Sequence, residues 1–238
     1  VEMLKLRLAA GASVIASDPD GRRPAHHAAE SGSVEALRLL LDAGASPSLI
    51  DAAGWQPHHW AAMNGHTEAL RLLLARGAQV DATAQDGITA LWGASSNGHV
   101  GAVRLLLAKG AKADAVSHYR RMQPIHVAAQ QGHAAVIEAL HLEGGAALDA
   151  VDKVGAQPLH HAAEHQQLDA LRTLLHLGAP ANAAFVAVAT TPDRSLAMRT
   201  TALMMAASDD WEAGAHLLIK AGAAVDSVIL GAGGAVVC

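Results

Sequence analysis

The chain has 238 residues, 51% of them hydrophobic but only 3% aromatic, and a formal net charge of −5 at pH 7. Apolar content carried by Ala and Leu favours closely packed helices, so an all-α protein is expected. The acidic balance and the lack of any Lys/Arg-rich run argue against nucleic acid and anionic membrane surfaces, no apolar run approaches the ~20 residues of a membrane span, and a single cysteine, Cys238, excludes an intramolecular disulfide and a multi-cysteine zinc site.

In chain order, the opening stretch "VEMLKLRLAAGASV" reads as one helix with an exit glycine. A longer phrase then begins. "DGRRPAHHAAESGSVEALRLLLDAGAS" is echoed by "AGWQPHHWAAMNGHTEALRLLLARGAQ" and by "DGITALWGASSNGHVGAVRLLLAKGAK". Gly21, Gly54 and Gly87 recur every 33 residues, as do Gly32, Gly65 and Gly98, and Gly132 follows after 34. Such a period means stacked units. The signals within a unit are consistent: a turn with Asp and Gly, then, as at Pro24 and Pro57, a Pro suited to a first helical position, then a short Ala-rich helix ending at Gly. A second helix follows, its apolar stripe at Leu37, Leu40 and Leu41, at Leu70, Leu73 and Leu74, and at Leu171, Leu174 and Leu175. One such pair cannot bury its own stripe, so each unit depends on its neighbours.

The pattern of turn, G-x-T-P-L-H-x-A-A-x-x-G-H, then x-x-x-L-L-x-x-G-A resembles the ankyrin repeat over nearly the whole chain. The resemblance implies an all-α ankyrin-repeat α-solenoid of about six repeats within residues 1–227, at about 18–50, 51–83, 84–117, 118–151, 152–195 and 196–227, preceded by an N-terminal half repeat. Residues 228–238 are left as a tail. The chain begins without Met at a second helix, which reads as a trimmed domain or a fragment of a longer protein. Met204, Asp210 and Trp211 stand at the usual His, Gly and His positions of the sixth unit, which reads as a cap.

Departures from the pattern carry physical consequences. The N-cap Thr is kept as Thr89 and Thr201 but replaced by Arg23, Gln56, Gln123 and Gln157, poorer caps by ~1 kcal/mol each. Gln166 replaces the glycine that ends the first helix elsewhere, which puts a side chain where a left-handed backbone is needed. The same unit carries an insertion, about 180–199, read as a protruding loop and the softest part of the array.

Fifteen histidines invite a metal. Sharing one zinc, however, needs ligand nitrogens ~2.0–2.1 Å from the ion, whereas packed helices lie roughly 8–10 Å apart, so equivalent histidines stack in file without converging. His26, His59, His126 and His160 fall on the family's own histidine position, for which the resemblance implies a structural hydrogen-bonding role. His66, His99 and His133, after the inter-helix glycine, take the same reading. Every Ser, His and Asp cluster is explained by the repeat phase and Cys238 has no evident activating partner, so no enzyme activity and no cofactor are expected. The closing "SVILGAGGAVVC" suggests a dinucleotide turn, but Val236 stands where the third glycine of G-x-G-x-x-G belongs.

The remaining chemistry is at the surface. The resemblance implies that turn tips and first-helix ends line a concave groove whose variable positions choose a protein partner. By phase these include Asp20, Arg22, Trp55, Asp86, Ile88, Tyr119, Arg120 and Met122 on the turns, with Met63, Asn64, Gln130 and Gln131 on the helices. Rigid apolar side chains flanked by polar groups are what an interface anchor needs, while Trp55 and Met122 packing on the adjoining turn is the alternative. The expectation is a monomeric protein-binding scaffold, intracellular and cytoplasmic with the nucleus left open, without nucleic-acid binding or membrane insertion. The alternatives are a recognition segment of a larger kinase, ubiquitin-ligase adaptor, acyltransferase or channel, and a His-rich metal-binding protein.

Overall fold

The structure, a computed structural model, describes residues 1–191, 194–225, 229–230 and 236–237. The chain divides into two compact units, Val1–His118 and Tyr119–Cys238. The first unit contains α1 (Glu2–Ala9) and three helix pairs: α2 (Pro24–Glu30) with α3 (Val34–Asp42), α4 (Pro57–Met63) with α5 (Thr67–Ala75), and α6 (Ala90–Ser96) with α7 (Val100–Ala108). Within it α4 packs between α2 and α6, and α5 between α3 and α7. The second unit contains α8 (Pro124–Gln130) with α9 (Ala134–Leu142), α10 (Pro158–Glu164) with α11 (Leu168–Leu177), a hairpin of β1 (Ala184–Thr191) and β2 (Arg194–Thr201), and α12 (Ala202–Ser208) with α13 (Glu212–Lys220). There α10 packs between α8 and α12, and α11 between α9 and α13. The all-α repeat class is the one the helix periodicity leads to.

The local rules are legible in the packing. Pro24, Pro57, Pro124 and Pro158 open their helices, where a missing N–H is no loss and the fixed φ already suits the helix. Alanines fill the contacts between first helices: Ala29, Ala61, Ala62, Ala94, Ala128, Ala129, Ala162 and Ala163 are fully buried. Second helices supply the bulky core, with Leu37, Leu70, Leu73, Leu106, Ile137, Leu140, Leu171 and Leu174 at 0% exposure; each such side chain contributes roughly 1.5–3 kcal/mol. In α5 the buried stripe is Ala69, Leu70, Leu72 and Leu73, leaving Leu74 half-buried.

Turn tips are tied in sequence by their backbones. Within the first unit Ala52 N–H donates to Asp20 O (2.9 Å), Gln85 to Ala53 O (3.2 Å) and His118 to Asp86 O (2.6 Å); within the second, Lys153 donates to Arg120 O (2.8 Å). The approach is close enough that a Cβ on Gly21 would lie 2.8 Å from Ala52 N, which explains a glycine with φ +74 there. Arg121 stands at the corresponding place in its own turn with φ +53.

The caps follow the residues present. Thr89 Oγ1 accepts from Trp92 N–H (3.2 Å) and Thr201 Oγ1 from Met204 N–H (3.3 Å). At the substituted positions the side-chain oxygens of Gln56, Gln123 and Gln157 are buried without a partner. Gln166 is in the left-handed region, φ +53, as the missing glycine requires.

The insertion expected as a bare loop is instead largely an antiparallel hairpin, with Ala184 opposite Thr201 and Thr191 opposite Arg194. Its sequence is rich in β-branched residues, Val186, Thr200 and Thr201 among them, which fit a pleated pairing better than a helix. Pro192 and Asp193, between the strands, lie outside the described residues, as does most of the 228–238 tail with the GxG element and Cys238. Asn182, just before the hairpin, bridges to the turn after α13, donating to Gly222 O (3.0 Å) and accepting from Ala224 N–H (2.6 Å).

Candidate functional site

The histidine column is a set of clamps. His26, His59, His126 and His160 each accept, through Nδ1, the backbone N–H of the cap residue three positions earlier, at 3.0–3.1 Å. A nitrogen that accepts is unprotonated, so the ring is the neutral Nε2–H tautomer and Nε2 donates. Its acceptors are the carbonyls of Trp55, Ala82, Ala150 and Ala183, at 2.9–3.1 Å. Each ring therefore ties the start of its own helix to backbone 23 to 29 residues onward. Burial pushes all four below the usual histidine range, His59 to about 4. With both ring nitrogens engaged, no lone pair is left for a metal; among the described residues no group of three His, Cys, Asp or Glu is placed to hold one. The later histidines pack rather than ligate: a Cβ on Gly32 would sit 2.5 Å from His66 Nδ1, and one on Gly65 2.6 Å from His99 Nδ1.

A second relationship escapes a residue-by-residue reading. In three turns an aspartate receives turn N–H groups on Oδ1 and a ring N–H from nine residues later on Oδ2. Asp18 takes His27 (2.9 Å), Asp51 takes Trp60 Nε1 (3.1 Å) and Asp152 takes His161 (3.1 Å). Asp51 Oδ1 accepts from Ala53 and Trp55, and Asp152 Oδ1 from Val154 and Ala156. Where the acid is missing, as Ala84 or His118, the ring donor is missing too, as Gly93 or Val127. This co-occurrence is the sequence signal that could have revealed the pair. In the second unit it is fully enclosed, both side chains being 1% exposed. Burial, helped by the neighbouring His126, pushes His161 to about 4 against the pull of Asp152.

His58 is the other residue the repeat reading passes over. It stands where the other first helices carry Ala25, Leu91, Ile125, Leu159 or Leu203, and it is 0% exposed. Neither of its ring nitrogens has a partner, and burial holds it well below the ordinary histidine range.

The expected partner residues divide sharply. On the first unit Asp20, Asn64 and Asp86 are exposed, while Met63 and Ile88 are half-buried. Asn64 Nδ2 donates back to Trp60 O (2.9 Å), and Asp86 has φ +62. Trp55 is half-buried, its ring 5.7 Å from Trp60 and 5.5 Å, edge on, from His59. Arg22 is committed internally: its guanidinium lies 4.2 Å above the Trp60 ring and pairs with Glu30. On the second unit Tyr119, Arg120 and Gln131 are exposed and Gln130 half-buried. Met122 corrects the expectation of an exposed anchor, since it is 5% exposed; an unbranched thioether beside a turn fills core space readily. A cavity of about 260 Å³ lies at these tips, lined by Tyr119, Arg120, Asp152, Lys153 and Val154.

No helix among the described residues is long and apolar enough to cross a membrane. The family described as ankyrin repeats (3 copies) matches residues 1–86, 25–117, 59–145 and 91–185. Among solved structures, the chain is similar to the crystal structure of the human ASB11 ankyrin repeat domain, at 29% identity and a TM-score of 0.76 over 90% of each chain. Ankyrin repeats indicate a protein–protein interaction module, and the fold is typically a non-catalytic one. The clamped histidine column, the paired helices and a family match running through residues 1–185 establish that this chain belongs to the ankyrin repeat family.

Proposed function

We propose that the chain is a non-catalytic scaffold that holds a protein partner on its turn tips and first-helix ends, the concave side of an ankyrin array. The observation that carries this reading is Tyr119, which is 77% exposed at a turn tip although aromatics are only 3% of the chain. A stiff aromatic ring with a polar end, left in water at such a tip, suits a partner anchor. Arg120 and Gln131 extend the polar rim on the second unit. Trp55 with Asn64, Asp20 and Asp86 does so on the first. Arg22 supports this surface by holding Trp60 in place rather than by reaching a partner.

A photo-crosslinking residue placed at position 119, and in parallel at Arg38 on a second helix, tests the reading. The captured partner is then purified and titrated against wild type, Tyr119→Ala and Trp55→Ala. Capture from position 119 alone, with affinity falling about tenfold in Tyr119→Ala at an unchanged melting temperature, is the expected result. Equal capture from both positions, or full affinity in both alanine variants, overturns it.

A further inference from the structure

We infer that the turn tips of the second unit form a receptor for an acidic, extended peptide segment, one carboxylate side chain of which enters the cavity between Arg120 and Lys153. The inference rests on the protein-binding reading above and names the chemistry of the partner.

The tips carry a local excess of positive charge. Arg120, Arg121 and Lys153 are all exposed on two turns joined by the Lys153 N–H to Arg120 O bond. None of the three is in an ion pair among the described residues, and the backbone bond between their turns keeps them together. Three cations gathered at one place on a chain of net charge −5 favour an anion there.

Asp152 and Glu164 do not fill that role. Asp152 lines the cavity, but its carboxylate already receives Val154 N–H, Ala156 N–H and His161 Nε2–H at 2.9–3.1 Å. These donors compensate its charge. Glu164 is directed toward His161, with Oε2 3.7 Å from Nδ1.

Size and surroundings favour a peptide. A cavity of about 260 Å³ falls below the ~300–1,000 Å³ that encloses a small-molecule ligand, and suits a single side chain. Beside it Tyr119 and Val154, 77% and 54% exposed, offer apolar contact to the residues flanking that carboxylate. An extended chain can supply both, with the acid in the cavity and its neighbours along the tips. Nucleic acid is disfavoured, because one aromatic side chain gives little to stack bases on.

The test is an amide-resolved NMR titration of the full chain at low salt with a capped peptide of alternating Glu and Ala, and with its Gln-for-Glu counterpart. Saturable shifts confined to residues 119–121 and 153–154 with the Glu peptide, absent with the Gln peptide, are expected. Charge removal in Arg120→Gln/Lys153→Gln, whose spectrum elsewhere reports an intact fold, should weaken binding about tenfold. Three results overturn the inference: no shift at millimolar Glu peptide, equal response to the Gln peptide or to a DNA oligonucleotide, or unchanged affinity in the double variant. Protein binding itself is tested separately by crosslinking from position 119, so failure of the acidic-peptide reading and failure of the scaffold reading are distinguishable.

Discussion

Asp152 and His161 meet inside the second unit at 3.1 Å, each side chain 1% exposed, and the aspartate's other oxygen organises the turn above them. Asp18 and His27 make the same bond at 2.9 Å near the surface, with side chains 32% and 49% exposed. Because burial holds His161 neutral near pH 7, the enclosed contact is a hydrogen bond to a charged acceptor rather than an ion pair. Asp152→Ala strips three donors of their acceptor and should cost about 3 kcal/mol. Asp18→Ala, with water able to substitute, should cost about 1 kcal/mol. Urea unfolding of both variants measures the difference, and equal costs would show that enclosure adds nothing.

The histidine clamps give stability a definite pH dependence. Their folded values lie below that of an unfolded histidine, so the unfolded chain takes up protons first as pH falls. Stability should be level above about pH 6.5 and decline from there toward pH 4. His59, pushed to about 4, accounts on its own for a loss on the order of 3 kcal/mol by pH 4. A urea midpoint followed from pH 8 to pH 4 checks the shape. A midpoint that rises on acidification would contradict the assignment of neutral, clamped rings.

His58→Leu should stabilise the protein. The substitution removes two buried, unpartnered ring nitrogens and installs the side chain that Leu91 and Leu159 supply at the same place in other helices. A gain of about 1–2 kcal/mol is expected at pH 7, and a larger one at pH 5, where the unfolded histidine is charged and the folded one is not. Thermal unfolding at both pH values reads it. A destabilised variant would mean that His58 makes a bond the packing does not show.

Gln166→Gly should also stabilise, by about 1 kcal/mol, because Gln166 occupies φ +53 where only glycine is unstrained. The gain is opposed by the greater freedom of glycine in the unfolded chain. The comparison is Arg172→Gly, exposed in the interior of α11, which should lose about 1 kcal/mol. Chemical denaturation of the two variants tests the position-specific sign.

Period, helix pairing and the histidine column were legible in the sequence, because each is a local rule repeated at a nearly constant spacing. Gly21, Gly54 and Gly87 mark turns where backbone passes close to backbone; Pro57 and Pro158 open helices; His59 lies three residues from the N–H it accepts, within one helical turn. The Asp51–Trp60 and Asp152–His161 bonds were encoded too, but as a co-occurrence nine residues apart across a turn, which neither helix nor strand periodicity exposes.

Which tip side chains are free was decided only by the tertiary structure. Arg22 and Tyr119 look equally available by repeat phase, and Met122 stands between anchor and packing. Folding places Trp60, from the following repeat, beneath Arg22, with Glu30 as its ion partner, and encloses Met122, while nothing described covers Tyr119. The difference depends on contacts between residues far apart in the chain, whose side chains vary from one repeat to the next. The repeat determines where a tip lies, and the neighbouring turn determines whether its side chain is spent on the fold or left for a partner.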